Sequence, residues 1–351
     1  MENRTSVHPP IGRPGAARRV PVSVTAEGLV KTSFLQPGHT LPLVLEPRDE
    51  KLDIVSWASG CRDYVETQLL KYGGILFRNF GIQSPDRFEA FAKAISSDLL
   101  EYRERSSPRS RVSGNVYTST DYPASQSIFL HNENSYQQRF NMKVFFYCAQ
   151  PAQQGGATPI ADCRKIFARI SPAVRERFVE RQWMYVRNYG EGFGLPWQTV
   201  FQTTDKAVVE EHCRRHGIQF EWKDGDRLRT RAVLSAVSRH PKTGEAVWFN
   251  HATFFHVTSL EPWLRDALLA EFERADELPT NTFYGDGTPI EPEVLDELRA
   301  AYRAEEISFP WQQGDVLLLD NMLAAHGREP YVGERKILVG LAEPFDRKDL
   351  V

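Results

Sequence analysis

The sequence predicts a mainly β protein with helical additions, built as an antiparallel sandwich or barrel. Short apolar and β-branched runs separated by turns predict many strands. Helical patterns occur before and between these runs, but they do not form the regular strand–helix–strand series of a parallel α/β fold. The sequence contains no phosphate-binding loop of the GxGxxG or GxxxxGK(S/T) type, so it does not support a nucleotide-binding protein.

The composition is typical of a protein that handles a small molecule. The 43 Lys and Arg residues nearly balance the 46 Asp and Glu residues, which gives a formal charge of -3 over 351 residues. This balance argues against nucleic-acid binding, and the longest apolar run, 144–149, is far shorter than the roughly 20 residues that cross a bilayer. Four cysteines without CxxC spacing indicate reduced thiols. We therefore expect a cytoplasmic protein with no nucleic-acid or membrane partner.

The first 38 residues are predicted to form an extended or mobile leader. They are rich in Pro, Gly and Arg and have no sustained periodicity. The alternative is an arm around residues 20–24 that forms a strand and packs on the domain. Residues 39–351 are predicted to form a single domain with a mixed insertion around residues 180–310.

The first part of this domain is predicted to be helical. Apolar residues between 52 and 70 recur at spacings of three and four, which predicts an amphipathic helix ended by the Gly73–Gly74 pair. A short buried strand follows at 75–77. The Ser84–Pro85 pair then begins a helix, because serine caps the first turn and proline has no N–H there to leave unpaired.

The middle and the end of the chain are predicted to be rich in strands. Asp162 and Ser171 each precede a helix, and the stretch 260–306 is predicted to be mostly helical. The predicted strands share a β-branched or aromatic composition and lie at 143–148, 158–160, 246–250, 316–319 and 336–341.

One histidine, His131, is followed two positions later by an acid, Glu133. Alternate residues of an extended segment point the same way, so the imidazole and the carboxylate can hold one metal ion. A second, distant histidine would complete a two-histidine, one-carboxylate set with adjacent coordination positions left open. Nine histidines and 46 acids give about one such pair by chance, so the motif gains meaning only from its surroundings.

Several longer segments together provide those surroundings. They resemble the taurine dioxygenase/clavaminate synthase-like family of Fe(II)- and 2-oxoglutarate-dependent oxygenases over roughly residues 40–347. The segments are FLHNENSY, FYCAQPAQQGGATPIADCRKIF, HPKTGEAVWFNHATFFH, YGDGTPI and WQQGDVLLLDNMLAAHGREPYVGERKILVGLAEP. The resemblance implies a double-stranded β-helix (jelly-roll, cupin-like) core, with Fe(II), 2-oxoglutarate and O2 as cofactor and cosubstrates. It is strongest to the branch acting on amino acids and their carrier-bound or natural-product derivatives.

The resemblance also assigns roles to single residues. His131, Glu133 and His326 match the iron ligands of the family. Thr158 and Arg335 match the residues that bind the distal carboxylate of 2-oxoglutarate, a task suited to the planar fork of arginine. Arg328 is the main rival for the arginine role. Glu133 occupies the position that halogenases of this family leave small, which argues against halogenation.

Other residues are candidates with open alternatives. His251 and His256 are alternative candidates for metal ligands, but we expect them to line or support the pocket. Arg187 and Asn188, together with His251 and Arg328, are candidates for substrate contact; for Arg187 and Asn188 the alternative is a strand end and turn.

Three further groups are weaker candidates. Asp320 and Asn321 are candidates for orienting His326. Residues 117–125 are a candidate for the mouth of the site. A cluster of arginines either meets an acidic partner or a carrier arm, or is simply solvated; it comprises Arg103, Arg105, Arg109 and Arg111.

The predicted activity is oxidation, most simply hydroxylation, of an unactivated C–H bond of an amino acid or amino-acid-derived natural-product intermediate, with release of succinate and CO2. The same site would also serve desaturation, epoxidation or cyclisation. The competing hypotheses are a non-catalytic jelly roll that binds 2-oxoglutarate or metal, and a cupin-like metal enzyme that does not use 2-oxoglutarate. The expected partner is a small molecule, either a free amino acid or a carrier-protein-bound aminoacyl group. The sequence does not indicate an oligomeric state.

Overall fold

The fold is seen in a computed structural model that describes residues 26–96, 99–101, 110–119, 122–190 and 194–350. The strands are β1 Val30–Phe34, β2 Leu43–Pro47, β3 Gly74–Phe77, β4 Arg111–Ser113, β5 Val116–Thr118, β6 Ile128–His131, β7 Arg139–Gln150, β8 Gln154–Gly155, β9 Ile160–Asp162, β10 Trp183–Tyr189, β11 Gln219–Lys223, β12 Arg227–Leu234, β13 Val237–Arg239, β14 Ala246–Trp248, β15 Thr280–Tyr284, β16 Val316–Asp320, β17 Ala324–Arg328, β18 Tyr331–Val332 and β19 Lys336–Asp346.

Helices lie mainly before β4 and within the later insertion. The α-helices are α1 Ala26–Leu29, α2 Ile54–Gly60, α3 Arg62–Tyr72, α4 Pro85–Ile95, α5 Cys163–Arg169, α6 Pro172–Arg181, α7 Trp197–Phe201, α8 Lys206–Arg215, α9 Pro262–Glu271 and α10 Pro292–Ala304, with 3-10 turns at Val257–Ser259 and Arg347–Asp349. None of the helices in the described ranges is both long and apolar enough to span a membrane.

An eight-stranded sheet in the order β1-β2-β3-β16-β7-β19-β5-β4 forms the larger layer. Its centre is the long antiparallel pair β7 and β19. Side chains alternate between the two faces of β7, so Phe145 and Tyr147 pack with the helices while Val144 and Phe146 pack on the other side. The predicted strands at 143–148, 316–319 and 336–341 all lie in this sheet and are confirmed.

A three-stranded sheet in the order β6-β17-β9 forms the smaller layer. An apolar cluster joins the layers, with Phe146 and Leu317 from the large sheet beside Ile160 and Ala324 from the small one. The sandwich predicted from the sequence is therefore confirmed, and in these two sheets the described strands pair antiparallel except for the parallel pair β2 and β3. Within the small sheet, β17 pairs with β6 on one side and with β9 on the other, which places its residues at the centre.

Helices α2 to α4 cover the outer face of the large sheet. The predicted cap at Ser84 is confirmed, because its side chain accepts a hydrogen bond from the N–H of Arg87. Asp162 caps α5 in the same way. The single helix predicted over 52–70 is wrong. The chain forms two helices there, divided at Cys61, whose φ/ψ of -124° and 22° are not helical.

A second, four-stranded sheet in the order β11-β12-β10-β15 lies inside the region predicted as a mixed insertion. Helices α7 and α8 share a small apolar core with its β10 and β12 strands. The prediction that 260–306 is mostly helical missed β15. Its sequence, TNTFY, is β-branched and aromatic, and it pairs with β10 along five residues.

The predicted leader is joined to the domain near its end. Residues 30–34 form β1, which pairs with β2 in antiparallel register. The domain therefore includes at least these residues, ahead of the predicted boundary at 38. The alternative arm at 20–24 and three residues of the predicted arginine cluster, Arg103, Arg105 and Arg109, lie outside the described residues.

Candidate metal centre

His131, Glu133 and His326 converge at one point of the small sheet. One possible ligand atom from each lies within 4.8 Å of the other two, and this is the one such group of three within the described ranges. The register of the small sheet causes the meeting, because His326 of β17 is paired directly with His131 of β6. Two residues 195 positions apart (326 − 131 = 195) thereby become neighbours.

Glu133 reaches this point from a turn. The strand β6 ends at His131, and Glu133 lies in the turn that leads to β7, so strand alternation is not the reason that the two side chains meet. One Glu133 carboxylate oxygen lies 3.7 Å from Nε2 of His326, and both residues are buried. Two imidazoles and one carboxylate on a single face form the donor set of non-haem Fe(II) oxygenases.

The hydrogen bonds of the histidines test whether this group fits a metal. Nδ1 of His131 lies 2.9 Å from the carbonyl oxygen of Phe129. A carbonyl only accepts, so Nδ1 donates and the neutral ring carries its lone pair on Nε2, the usual arrangement for a metal-binding histidine. Nδ1 of His326 is buried and has no hydrogen-bond partner in the described part of the chain. The donor set and the buried imidazole therefore fit a divalent metal.

Asn321 holds the backbone of Glu133 in place. Its side-chain oxygen accepts from the N–H of Glu133, and its amide donates to the carbonyls of Glu133 and Asn141, at 2.8 Å in all three cases. Asp320 accepts from the N–H groups of Met322 and Leu323. The two residues predicted to orient His326 thus have different contacts: Asn321 positions the acidic residue, and Asp320 shapes the turn before β17.

An open cavity lies beside the three residues and is lined by Thr158, Arg328 and Arg335 among others. Thr158 Oγ1 lies 3.0 Å from Nε1 of Trp311 and 3.3 Å from Nη2 of Arg335, and both nitrogens donate to it. These two contacts use both lone pairs of the hydroxyl oxygen. Thr158 can therefore form a further hydrogen bond only as a donor, through its O–H. Two donor groups, the Thr158 hydroxyl and the Arg335 guanidinium, thus stand together in this cavity.

The charge of Arg335 is poorly compensated. Its Nε donates to the carbonyl of Gly156, whose left-handed φ of 72° lets the backbone lie against the guanidinium. Burial, together with the positive charge of Arg328, lowers the pKa of Arg335 to about 10. The described residues place no carboxylate in an ion pair with it. A half-buried cation without a counter-charge among the described residues favours the binding of an anion.

Arg328 lines the same cavity but has a different set of contacts. Its Nη atoms donate to the backbone carbonyls of Tyr122, Pro123 and Gln126, and its guanidinium lies 5.3 Å from the ring centroid of Tyr331. Arg328 therefore fastens the loop before β6, which was predicted as the mouth of the site, over the cavity. Residues 120 and 121 of that loop lie outside the described residues.

The two rival histidines lie outside the ligand group. His251 is buried, with Nδ1 2.6 Å from the Ser135 hydroxyl and its ring centroid 5.6 Å from that of His131. Burial and the neighbouring His131 hold its pKa well below the usual range, so it is neutral. His256 caps the 3-10 turn by accepting from the N–H of Thr258. Their Nδ1 atoms therefore bond to Ser135 and to Thr258, and the supporting role of the two histidines stays a prediction.

Arg187 and Asn188 point to opposite faces of β10. Arg187 lies over the ring of Tyr189, with 4.7 Å to its centroid, and lines a separate cleft. The Asn188 amide donates to the carbonyls of Asp276 and Leu278, and its oxygen accepts from Arg229. Asn188 therefore joins β10 to the loop at 276–278 and lines a third cavity, and neither residue is among the described residues that line the cavity beside the ligand group. Trp311, whose Nε1–H donates to Thr158, was missed by the sequence reasoning, although it begins the WQQGD segment on which the resemblance rests.

Comparisons with known proteins agree with this architecture. The family described as "Taurine catabolism dioxygenase TauD, TfdA family" matches residues 39–342. The dapdiamide synthesis protein DdaC of Enterobacter agglomerans is 41% identical over 280 residues, which cover 80% of this chain and 85% of that protein. A clavaminate synthase-like protein of Arabidopsis thaliana is 31% identical over 337 residues, which cover 90% and 98% of the two chains.

Solved structures share the fold. PvcB of Pseudomonas aeruginosa has a TM-score of 0.56 at 13% identity, covering 94% of this chain and 98% of PvcB. A second PvcB structure, described as an Fe, alpha-ketoglutarate dependent oxygenase from an isonitrile synthetic pathway, has a TM-score of 0.55 with 95% and 98% coverage. At this identity the likeness concerns the fold alone, and it confirms the expected jelly-roll core.

Proposed function

Because the chain belongs to the taurine catabolism dioxygenase family of TauD and TfdA, we propose that it is an Fe(II)- and 2-oxoglutarate-dependent oxygenase. Its proposed reaction is hydroxylation of an unactivated C–H bond of an amino acid or an amino-acid-derived natural-product intermediate, with release of succinate and CO2. The observation that carries the proposal is the convergence of His131, Glu133 and His326 beside a cavity lined by Arg335, a half-buried cation that forms no ion pair with a carboxylate among the described residues.

His131, Glu133 and His326 would hold the metal. When bound, iron with 2-oxoglutarate and O2 supplies the oxidising chemistry. The protein contributes geometry: Phe129 fixes the tautomer of His131, and Asn321 fixes the backbone that carries Glu133. A ligand set of three leaves coordination positions for small molecules on the opposite side.

Arg335 and Thr158 would bind the distal carboxylate of 2-oxoglutarate. Arg335 offers a charged fork, and the contacts from Trp311 and Arg335 leave Thr158 its O–H as donor. An arriving carboxylate would also supply the counter-charge that Arg335 lacks among the described residues, and the half-buried position of the guanidinium strengthens this attraction. The same pair argues against a metal enzyme that does without 2-oxoglutarate.

The substrate class is proposed from the relatives. DdaC is named for dapdiamide synthesis, and PvcB is described as part of an isonitrile synthetic pathway. We therefore infer a small substrate in amino-acid-derived natural-product chemistry, either free or bound to a carrier protein. Desaturation, epoxidation or cyclisation would use the same residues, because the outcome depends on which substrate bond is held closest to the metal.

One experiment tests the proposal. The protein is titrated with Fe(II) and 2-oxoglutarate without oxygen, and the weak visible charge-transfer band of the iron–2-oxoglutarate complex is recorded. We expect the band in the wild type, its loss in His131→Ala, and its retention in His256→Ala, the matched control at the rival histidine. Succinate release in air is then measured across free amino acids, peptides and carrier-bound aminoacyl groups. No band and no succinate with any of them would refute the oxygenase; a band without succinate would favour the non-catalytic binding protein.

A further inference from the structure

His240 is a buried histidine that the proposed mechanism does not use. It follows β13 directly and begins the turn that joins β13 to β14, within the HPKTGEAVWFN segment. Backbone bonds close this turn, from the N–H of His240 to the carbonyl of Glu245 and from the N–H of Gly244 to the carbonyl of His240. Because a buried polar group is costly unless it is bonded, the partners of the two ring nitrogens indicate what the side chain does.

The two ring nitrogens of His240 connect this turn to the turn before β17. Nδ1 accepts from the N–H groups of Lys242 and Thr243, at 3.3 and 3.1 Å. An accepting Nδ1 carries no hydrogen, so Nε2 carries it and donates to Asp320, whose carboxylate oxygen Oδ2 lies 3.0 Å away. Both side chains are buried, and a bond to a carboxylate is stronger than one between neutral groups. His240 therefore holds its own turn with one nitrogen and Asp320 with the other.

Asp320 uses its second oxygen to shape the turn that contains Asn321. Oδ1 accepts from the N–H groups of Met322 and Leu323, at 3.0 Å in both cases. The carboxylate is thus held at one oxygen by the imidazole and at the other by the turn. The orientation of the carboxylate, and with it the conformation of this turn, depends on the bond from His240.

The same turn places two of the three proposed metal ligands. The Asn321 side chain bonds the N–H and the carbonyl of Glu133, and its backbone carbonyl accepts from Asn132 at 2.6 Å. Asn132 stands between His131 and Glu133 in the chain. The turn then leads directly into β17, which carries His326. A change in the turn would therefore move Glu133 through Asn321 and His326 through the start of its strand.

We propose that His240 is a positioning residue of the metal centre: through Asp320, it fixes the turn that places Glu133 and His326. His240 is not among the described residues that line the cavity beside the ligands, so it acts through Asp320 and not on a substrate. The inference rests on the proposed function for the identity of the metal ligands, but it does not require turnover.

Two substitutions at this position separate the two bonds. In His240→Gln, the amide nitrogen is as many bonds from Cβ as Nε2 is, so it can donate to Asp320, but the acceptor for the turn is lost. In His240→Asn, the side-chain oxygen replaces Nδ1 and serves the turn, but the amide is too short to reach Asp320. Asp320→Asn breaks the same bond from the other side at equal size, because its N–H groups would face either the Nε2–H or the backbone N–H groups.

The test measures Mn(II) affinity without 2-oxoglutarate or oxygen, from the EPR signal of the free ion, together with the free energy of unfolding in urea. We expect His240→Asn and Asp320→Asn to weaken Mn(II) binding about tenfold, the lower end of the loss caused by removing an outer partner of a metal site. His240→Gln should lose stability but keep most of the affinity. Asn250→Ala is the control, because Asn250 is also buried and bonds the backbone of Ala236 and Ala252, on either side of the same hairpin.

Four results would overturn the proposal: no Mn(II) binding by the wild type, wild-type affinity in both His240→Asn and Asp320→Asn, equal losses of affinity in His240→Gln and His240→Asn, or an equal loss in Asn250→Ala. If His240→Asn does not fold, Asp320→Asn decides. The visible band with Fe(II) and 2-oxoglutarate keeps this outcome separate from that of the proposed function. A wild type that binds Mn(II) but gives neither band nor succinate would refute the oxygenase, and the affinities of the variants would still decide the positioning role. A normal band with unchanged Mn(II) affinity in the variants would refute the positioning role alone.

Discussion

Truncation of Asn321 to alanine should weaken both the fold and the metal centre. The side chain is fully buried and makes three hydrogen bonds of 2.8 Å. Its loss leaves one N–H and two carbonyls of Glu133 and Asn141 buried without this partner, and each such group costs about 1–3 kcal/mol. Partial relaxation limits the sum, so we expect Asn321→Ala to lower the free energy of unfolding by about 3–5 kcal/mol.

Asn321→Ala should also weaken metal binding by more than its general loss of stability explains. Asn321 fixes the backbone of a proposed ligand, and loss of such an outer partner typically weakens metal affinity about 10–100-fold. Asn281→Ala is the matched control, since Asn281 is equally buried and also bonds backbone groups, those of Val257 and Ala275, but not Glu133. Urea unfolding measures the free energy of unfolding of each variant. Titration with Fe(II), followed by the visible band, measures the iron affinity without urea and at a temperature where each variant is folded. Equal losses of iron affinity in the two variants would refute the positioning role.

Three further outcomes are expected. Gly327→Ala should lower stability by about 2 kcal/mol or more and weaken Fe(II) binding, because its Cβ would come within 2.6 Å of the Ile128 carbonyl oxygen. Gly60→Ala, in the last turn of α2 with open space around it, should leave Fe(II) binding unchanged and should not lower stability. Arg335→Gln should raise the KM for 2-oxoglutarate at least about tenfold while Fe(II) still binds; an unchanged KM would contradict its assignment. Burial and the nearby guanidinium of Arg299 lower the pKa of His256 to about 4, below the unfolded value near 6.5. Stability should therefore fall as pH drops through this window, and His256→Asn should flatten the fall by about 2–3 kcal/mol in urea titrations; a slope equal to the wild type's would count against this reasoning.

The parts of the fold that follow local rules were predictable from the sequence. Strands such as 143–148 carry their β-branched and aromatic composition on both faces, and Ser84 and Asp162 cap helices through bonds to residues two or three positions away. The approach of His326 to His131 was expected only through the family resemblance, because no local pattern encodes a pairing across 195 residues.

What the sequence did not reveal depends on partners distant along the chain. β15 is a strand because it pairs with the edge of β10, although helical segments precede and follow it in the chain. Asn321 was expected to orient His326, five residues further along the chain, yet its partners are Glu133 in the turn after β6 and Asn141 in β7. Arg187 and Asn188 are adjacent in sequence but have unrelated contacts, since neighbours on a strand face opposite sides of the sheet.

Because His131 is paired directly with His326, metal binding depends on the register between β6 and β17. A slip of β17 by one residue would turn His326 to the other face of the small sheet and replace it with Ala325 or Gly327, neither of which binds metal. Iron in the centre would therefore stabilise only the correctly paired chain, by an amount set by its affinity and free concentration. A misaligned small sheet would receive none of that stabilisation, so metal supply during folding would select the native alignment of two strands that are far apart along the chain.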